Sequence, residues 1–107
     1  MINRGRSTKA NEIYPVRYNR RAEYCYVYVL HSQADHHFYV GLTRDLPARL
    51  QAHNDGRVNS TKNRRPFELI YWEGCRDERD AAQREKYLKT AWGKRYVKNR
   101  LRCYLTG

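Results

Sequence analysis

Two oppositely charged residues fall at positions where helical periodicity predicts apolar side chains. Glu85 interrupts an apolar stripe that is otherwise formed by Ala81, Leu88 and Trp92. Arg49 interrupts an earlier stripe that is otherwise formed by Leu46, Leu50 and His53. A buried, unpaired carboxylate costs roughly several kcal/mol, so it usually has a cation or a metal as its partner. An acid and a guanidinium placed in this way in a very basic chain indicate a site that handles phosphate; a structural ion pair between them is the alternative.

The balance of charge favours a polyanionic partner. The chain has 107 residues, with 22 Lys and Arg against 11 Asp and Glu, and a net charge of +11. This length suits one domain with one modest core. Such a basic excess points most often to nucleic acid, and the alternative is a basic surface that is only solvated.

Basic residues are concentrated in three parts of the chain. Residues 1–22 carry six Lys and Arg against Glu12 alone, residues 57–65 contain no acid, and no acid follows Glu85. Such groups neutralise phosphates. The basic positions predicted to contact nucleic acid are Lys62, Arg64, Arg65, Lys94, Arg95 and Lys98. For the first three, a solvated loop is the alternative.

The cysteines and the absence of long apolar runs indicate where in the cell the protein is expected. Cys25, Cys75 and Cys103 are far apart and show no CxxC spacing, which argues against structural zinc. Their odd number suggests free thiols in a reducing compartment. No apolar leader and no membrane-spanning run is present, so no membrane partner is expected. The predicted location is cytoplasmic or nucleoid-associated, and the sequence does not indicate the oligomeric state.

The chain is predicted to contain a flexible arm and one α/β domain. Residues 1–22 are polar, basic and aperiodic, and they predict a flexible N-terminal arm. Residues 23–107 form the folded domain. Strands are predicted over residues 24–30, 38–42 and 67–72. Helices are predicted over residues 46–53, 77–92 and 95–101, with Asp45 and Asp77 at the starts of the first two and Gly93 as a break.

Strand alternation gives the tyrosines a common face. In a hairpin formed by the first two strands, Tyr28 and Tyr39 are predicted to lie on the same side of the sheet. The connecting segment, residues 32–37, is polar and suits a hairpin loop. His36 and His37 are interpreted as residues of that loop and not as ligands. Residues 57–66 predict an exposed basic loop.

Two short strings resemble the signature of a known nuclease superfamily. Tyr26-Val27-Tyr28 followed by Tyr39-Val40-Gly41 resembles the two halves of the GIY-YIG motif, with the tyrosines eleven residues apart. Arg49 follows Tyr39 by ten residues, the spacing of the family's helix arginine. The resemblance covers about residues 24–101. It implies a small three-stranded antiparallel sheet flanked by helices.

Further positions match the family, and two depart from it. His53, one helical turn after Arg49, stands where several members carry His or Tyr, and Glu85 matches the metal-binding glutamate. Asn99 is similar to an asparagine near the end of the domain, and residues 60–67 resemble the small standalone branch. The first triad lacks its glycine. Leu42 stands where some relatives carry a cation, which is either absent here or supplied from elsewhere, by Lys62 or Arg64.

The resemblance implies a role for each side chain. Tyr28 is the favoured general base, and Tyr39 supports it by hydrogen bonding or takes its place. A tyrosine can act in this way if its pKa, ordinarily near 10, is lowered or its phenolate forms transiently, and Arg49 favours the phenolate. Arg49 binds the scissile phosphate, and His53 contacts the tyrosines or the phosphate. Glu85 holds one divalent metal, Mg²⁺ or Mn²⁺, and Asn99 supports the site or contacts DNA.

The predicted function is metal-dependent endonuclease activity on DNA. The resemblance extends to members that act in DNA repair, restriction and mobile elements. Because the chain leaves little room for a separate sequence-reading domain, a structure-directed or single-strand-directed substrate is expected. The first alternative is a non-catalytic module that binds RNA or DNA. The second is a protein whose basic surface docks on an acidic partner.

Overall fold

The polypeptide forms a three-stranded antiparallel sheet with helices on both faces. The computed structural model describes residues 23–107, so the predicted arm, residues 1–22, lies outside the described residues. The sheet has the strand order β2-β1-β3 and is built from β1 (Cys25–Ser32), β2 (Phe38–Thr43) and β3 (Phe67–Cys75). The helices are α1 (Leu46–Asn54), α2 (Glu78–Leu88), α3 (Ala91–Arg100) and the short α4 (Arg102–Thr106), and a 3₁₀ turn covers Lys62–Arg64. The predicted fold class is confirmed.

The central strand β1 is buried on both faces, because each set of alternate side chains has its own layer of helices. Cys25, Val27 and Val29 pack in one core with residues of α2 and α3, namely Ala81, Leu88 and Val97. Tyr28 and Leu30 pack on the opposite face with Phe67 and with the partly buried Leu46 and Leu50 of α1. Aromatic and β-branched side chains suit such a strand. The sheet therefore separates two small cores.

The hairpin of β1 and β2 brings the tyrosines together as strand alternation predicts. Tyr28 pairs with Gly41, and Leu30 pairs with Tyr39, so the two tyrosines are diagonal neighbours. Their ring centroids are 6.3 Å apart. The prediction that they share a face of the sheet is confirmed.

The predicted helix over residues 77–92 is wrong beyond residue 88. Helix α2 ends at Leu88, and α3 begins after Thr90, whose hydroxyl accepts a hydrogen bond from the Gly93 N–H at 3.1 Å. Thr90 thus caps a new helix, which moves Trp92 out of the apolar stripe and leaves it 67% exposed.

Gly93 does not break a helix, because it is buried inside α3. A Cβ at this position would overlap the backbone of Tyr87 and Leu88. The glycine is needed for the close approach of α3 to the end of α2. The helix predicted over residues 95–101 is therefore α3, which begins at Ala91, and the short α4 that follows it was not predicted.

The described residues hold three free thiols and no candidate membrane span. Cys25 is buried, Cys75 is partly buried and Cys103 is exposed. Cys25 and Cys75 are register partners on β1 and β3. Within residues 23–107, no helix has both the length and the apolar character needed to cross a membrane.

Replacing Gly41 should displace the Tyr28 ring. A Cβ at position 41 would overlap the Tyr28 hydroxyl and the ring carbon that bears it. We therefore expect Gly41→Ala to lower the free energy of unfolding by about 1–3 kcal/mol, measured by urea denaturation. Gly74→Ala is the matched control on β3, because its Cβ would meet Tyr26 only at 3.4 Å. Equal stability of the two variants would contradict the close packing of Tyr28 on Gly41.

Candidate active site

The Tyr28 hydroxyl is the centre of a buried hydrogen-bonded cluster. Strand β1 places the ring over Gly41, and the residue is only 2% exposed. The hydroxyl contacts His53 Nε2 at 2.9 Å and accepts a hydrogen bond from Arg49 Nε at 3.4 Å. Tyr39 is partly exposed and packs beside the same cluster. Four of the predicted catalytic side chains are therefore brought together.

Helix α1 positions both Arg49 and His53. Its N-terminus is fixed by the Asp45 carboxylate, which accepts from the Ala48 N–H at 3.1 Å, and Pro47 lies in the first turn. Residues four apart lie on one side of a helix. Arg49 and His53 consequently approach Tyr28 from the same side, one turn apart.

The hydrogen bonds of His53 favour one tautomer. His53 is fully buried, and its Nδ1 lies 2.8 Å from the Thr61 hydroxyl. That hydroxyl lies 3.4 Å from the Val58 carbonyl, which can accept its proton. We assign Nδ1–H as the donor to Thr61 and Nε2 as the acceptor for the Tyr28 hydroxyl, because this tautomer gives each of these protons an acceptor. His53 is a member of the buried cluster and not only a residue near a helix end.

Burial determines the protonation of this pair. Burial, and then the charge of Arg49, lower the pKa of His53 to about 4, so the imidazole is neutral near pH 7. Burial raises the pKa of Tyr28, and the hydrogen bond from Arg49 offsets this only in part. Arg49 thus favours the phenolate as predicted, but burial outweighs its effect, so the pKa of Tyr28 in the free protein lies above its ordinary value. The same hydrogen bond raises the pKa of Arg49, which stays charged.

Glu85 lies on the other helical layer, between the buried Ala81 and Leu88 on α2. Its side chain is 23% exposed, and its Oε2 lies 3.2 Å from the Lys89 ammonium. Within residues 23–107, Glu85 is therefore paired with Lys89 and not with Arg49. Its negative charge contributes to raising the pKa of Tyr28, which places it within electrostatic range of the cluster.

Two residues near the site were not predicted from the sequence. Thr61 is fully buried and orients His53, yet its segment predicts only an exposed loop. Its position in the string that resembles the standalone branch is the one signal that could have identified it. Lys89 pairs with Glu85 four residues earlier, a spacing that helical geometry favours.

The predicted nucleic-acid contacts divide into two groups. On the loop before β3, Lys62 and Arg65 are exposed, whereas Arg64 is partly buried and its Nε donates to Asp35 at 2.6 Å. This bond lowers the pKa of Asp35, and it ties Arg64 to the hairpin loop, where its guanidinium also donates to the Phe38 carbonyl at 3.3 Å. On α3, exposed side chains are presented by Lys94, Arg95, Lys98 and Asn99.

Comparison with known proteins matches most of the described domain. The family model of the GIY-YIG catalytic domain matches residues 24–100. The chain is similar to UPF0213 protein YazA of Bacillus subtilis, with 46% identity over 56 residues, which is 51% of this chain and 57% of the relative. It is similar to UPF0213 protein CPE1444 of Clostridium perfringens, with 40% identity over 65 residues, which is 60% of this chain and 69% of the relative. It is also similar to a UPF0213 protein of Bacillus pumilus, with 46% identity over 66 residues, which is 61% of this chain and 66% of the relative.

The matches cover only part of each relative. The chain spans less than three fifths of the length of the Bacillus subtilis protein and about two thirds of the length of the other two. The names of these relatives state no activity. No solved structure matches the chain.

The buried His53 should make folding stability depend on pH. The pKa of His53 is about 4 in the folded protein and about 6.5 in the unfolded chain. As the pH falls, the imidazole is therefore protonated at a higher pH in the unfolded chain than in the folded protein. Stability is therefore lost as the pH falls below 6.5, and the loss is complete below about 4. Between pH 7 and pH 5 we expect this group to remove about 2 kcal/mol from the free energy of unfolding.

Urea denaturation at both pH values measures this loss, and His53→Asn should abolish the pH-dependent part of it. His37→Asn, in an exposed loop, is the control and should keep the wild-type dependence. An unchanged pH dependence in His53→Asn would contradict the neutral, buried state of this imidazole.

Proposed function

The chain belongs to the GIY-YIG catalytic domain family, and from this premise we propose that it is a metal-dependent endonuclease that hydrolyses DNA. The observation that carries the proposal is the contact of one buried phenol with both a neutral imidazole and a guanidinium. The phenol and the imidazole can exchange a proton, and the guanidinium beside them can bind a phosphate. A structural role alone would not require the charged group beside the other two.

Tyr28 is proposed as the general base, with His53 as the acceptor of its proton. As the water oxygen forms its bond to phosphorus, the water gives a proton to the Tyr28 oxygen, and the Tyr28 proton moves to His53 Nε2. The bond from phosphorus to the 3′ oxygen then breaks, and the 3′ oxygen leaves with the bonding electron pair and takes a proton from solvent. His53 releases its extra proton to solvent, which restores the neutral pair. A phenolate–imidazolium pair is not the resting state. The pKa of Tyr28 lies above its ordinary value and that of His53 is about 4, so forming the charged pair carries a free-energy cost in the free protein.

Substrate binding should reduce that cost through Arg49. The positive charge of Arg49 helps to keep the pKa of His53 low. A phosphate bound to the guanidinium neutralises this charge and places negative charge near the imidazole. Both changes favour a protonated His53. Arg49 is thus proposed to bind the scissile phosphate and to couple its arrival to proton transfer.

Glu85 is proposed to hold one divalent cation, Mg²⁺ or Mn²⁺. Residues 23–107 contain no group of three or more His, Cys, Asp or Glu side chains suited to a metal, so Glu85 would be a single protein ligand. This fits Mg²⁺, which often takes one or two carboxylates, with water and substrate phosphate as its other ligands. Bound there, the cation would stabilise charge on the leaving oxygen.

Lys89 must release Glu85 before a cation can bind. The Lys89 side chain is 56% exposed and lies at the C-terminal end of α2. An i, i+4 ion pair on a helix contributes only about 0.3–0.5 kcal/mol, so releasing Lys89 costs little free energy. Because Glu85 would be a single protein ligand, binding of the cation is expected to be weak without substrate.

The exposed basic side chains favour recognition of the sugar–phosphate backbone. Lysine and arginine contacts to phosphates position a nucleic acid but do not read its sequence. We therefore propose a substrate defined by structure, such as branched or single-stranded DNA, as in DNA repair. The preference for DNA, the metal and the cytoplasmic or nucleoid-associated location stay predictions, as does the role of Asn99.

Non-catalytic binding of nucleic acid is the second candidate function. The observation that favours it is the Glu85–Lys89 ion pair, in which the acid is already neutralised without a metal. The basic surface of α3 would serve binding equally well. Cleavage assays separate the two functions, because a binding module leaves DNA intact in the presence of any divalent cation.

Removing the proposed metal ligand should abolish cleavage and keep binding. We expect the chain to cleave duplex, flap or single-stranded DNA with Mg²⁺ or Mn²⁺, and Glu85→Gln to lower the rate at least ~100-fold. Gel assays measure cleavage, and fluorescence anisotropy measures binding. Glu78→Gln is the control on the same helix, because Glu78 forms an exposed ion pair with Arg44. Intact DNA across the whole panel would refute the endonuclease proposal.

The two tyrosines should differ in their effect on catalysis. We expect Tyr28→Phe to lower the cleavage rate by ~10²- to 10⁴-fold, because it removes the base and the partner of His53. Tyr39→Phe should lower it by ~10-fold or less if Tyr39 only supports the site. Single-turnover rates measure both effects. The opposite order would assign the base to Tyr39, which is the more exposed of the two.

A further inference from the structure

A cavity lined by basic side chains lies beside the β1–β2 hairpin loop, outside the cluster around Tyr28. It has a volume of about 260 Å³, and Phe38 and Leu105 form part of its wall. Its other lining residues are all Lys or His, namely His31, His36, His37, Lys94 and Lys98, which together are called the histidine–lysine pocket here. No acidic residue of the described chain lines it. Several donors thus converge on a space that is much larger than the roughly 30 Å³ of one water molecule.

The hairpin loop is held in place without the side chains of its two histidines. The Ser32 hydroxyl accepts from the N–H groups of Ala34 and Asp35, and it donates to the Arg64 carbonyl at 2.6 Å. Asp35 accepts from the His37 N–H at 2.9 Å and also forms the ion pair with Arg64. The imidazoles of His36 and His37 are therefore left to line the pocket.

His36 adopts an unusual backbone conformation in this loop, with φ of 63°. Positive φ is uncommon outside glycine, although histidine tolerates it better than most residues. Ser32 also accepts the His36 N–H at its carbonyl at 3.0 Å, which completes the turn. The loop thus holds the imidazole on the pocket side at the cost of local strain.

The ring of His31 is oriented by the C-terminal helix. The Tyr104 hydroxyl donates to Glu68 at 2.8 Å, so its contact of 2.9 Å with His31 Nδ1 must be one in which the imidazole donates. The edge of the ring that carries Nε2 is directed away from Tyr104. Helix α4 therefore fixes one wall of the pocket, and Leu105 from the same helix lines it.

A groove adjoins the histidine–lysine pocket along β2 and α3. It has a volume of about 240 Å³, and its lining includes Phe38, Tyr39, Lys89 and Lys94 but none of Tyr28, Arg49, His53 and Glu85. Phe38 and Lys94 line both spaces, so the two cavities meet at these side chains. His37 precedes Tyr39 by two residues, roughly 7 Å along an extended chain. A strand bound at Tyr39 can therefore reach the pocket within a short distance.

We propose that the histidine–lysine pocket binds a backbone phosphate of the nucleic acid at a position adjacent to the cleaved bond. This inference rests on the proposed function and extends it with a second point of contact. The Lys94 and Lys98 ammonium groups supply charge, and the imidazoles of His36 and His37 supply directed donors, whereas the His31 ring uses its Nδ1–H on Tyr104. Contact at two phosphates fixes the direction of the strand through the groove, which a single contact at Arg49 does not.

The proposal is tested by neutralising the substrate phosphates one at a time and measuring binding. The full chain carrying Glu85→Gln keeps DNA intact, and a set of oligonucleotides carries one methylphosphonate each at successive positions. We expect one position near the cleavage site, distinct from the scissile phosphate, at which neutralisation weakens binding roughly threefold to tenfold. Adding Lys98→Gln should remove the effect at that position only. It should also lower the magnitude of the salt slope of single-strand binding by about 0.7.

Two further variants control for charge and for folding. Lys86→Gln removes the same charge from an exposed site on α2 outside the pocket, and it should keep the full methylphosphonate pattern. His37→Ala changes an exposed loop residue and should weaken the effect at the same position as Lys98→Gln. It is preferred to a change at His36, whose positive φ would strain an alanine.

The outcomes separate the pocket from the proposed function. If Lys98→Gln and Lys86→Gln give the same methylphosphonate pattern, the pocket is not a phosphate site, even where the unsubstituted chain cleaves DNA. If the unsubstituted chain neither binds nor cleaves any nucleic acid, both proposals are overturned. Both proposals are supported if the unsubstituted chain cleaves DNA and if Lys98→Gln and His37→Ala each remove the methylphosphonate effect at the same single position.

Discussion

The hydrogen bond between the Tyr28 hydroxyl and His53 Nε2 constrains the rest of the site. Both groups are buried, and an unpaired polar group in such a place costs about 1–3 kcal/mol. The imidazole must be neutral to accept this proton, and Thr61 favours that tautomer from the other side. The phenol reaches the imidazole only because position 41 has no side chain. The bond joins β1 to α1, and its geometry also depends on Gly41 of β2 and on Thr61 in the loop before β3.

The parts of the site that follow from local geometry could be predicted from the sequence. Strand alternation and a short hairpin are enough to put Tyr28 and Tyr39 on one face, and the helical period is enough to put Arg49 and His53 on one side of α1. The three strands and the start of α1 at Leu46 follow from the same patterns and from the Asp45 cap. These features depend on residues close together in the chain, so sequence contains most of the information.

Features that depend on packing between distant segments could not be predicted in this way. Gly93 is a helix breaker by propensity, but here it allows α3 to cross the end of α2, and the actual break is made by the Thr90 cap. The direction of the Tyr28 pKa shift depends on how completely helix α1 and the sheet exclude water. Arg49, which lowers the pKa of Tyr28, could be identified from the sequence. The burial of Tyr28, which raises its pKa by more, could not.

The strand order determines where one ligand could contact both Arg49 and Glu85, namely at an edge of the sheet. Arg49 and His53 belong to the helix on one face, whereas Glu85 belongs to α2, which packs against the other face and contacts β2. A phosphate cannot reach both layers through the central strand, because β1 is buried on both sides. In the order β2-β1-β3, strand β2 is an edge strand of the described sheet and carries Tyr39. A nucleic acid lying across this edge can meet the guanidinium on one side and the carboxylate on the other.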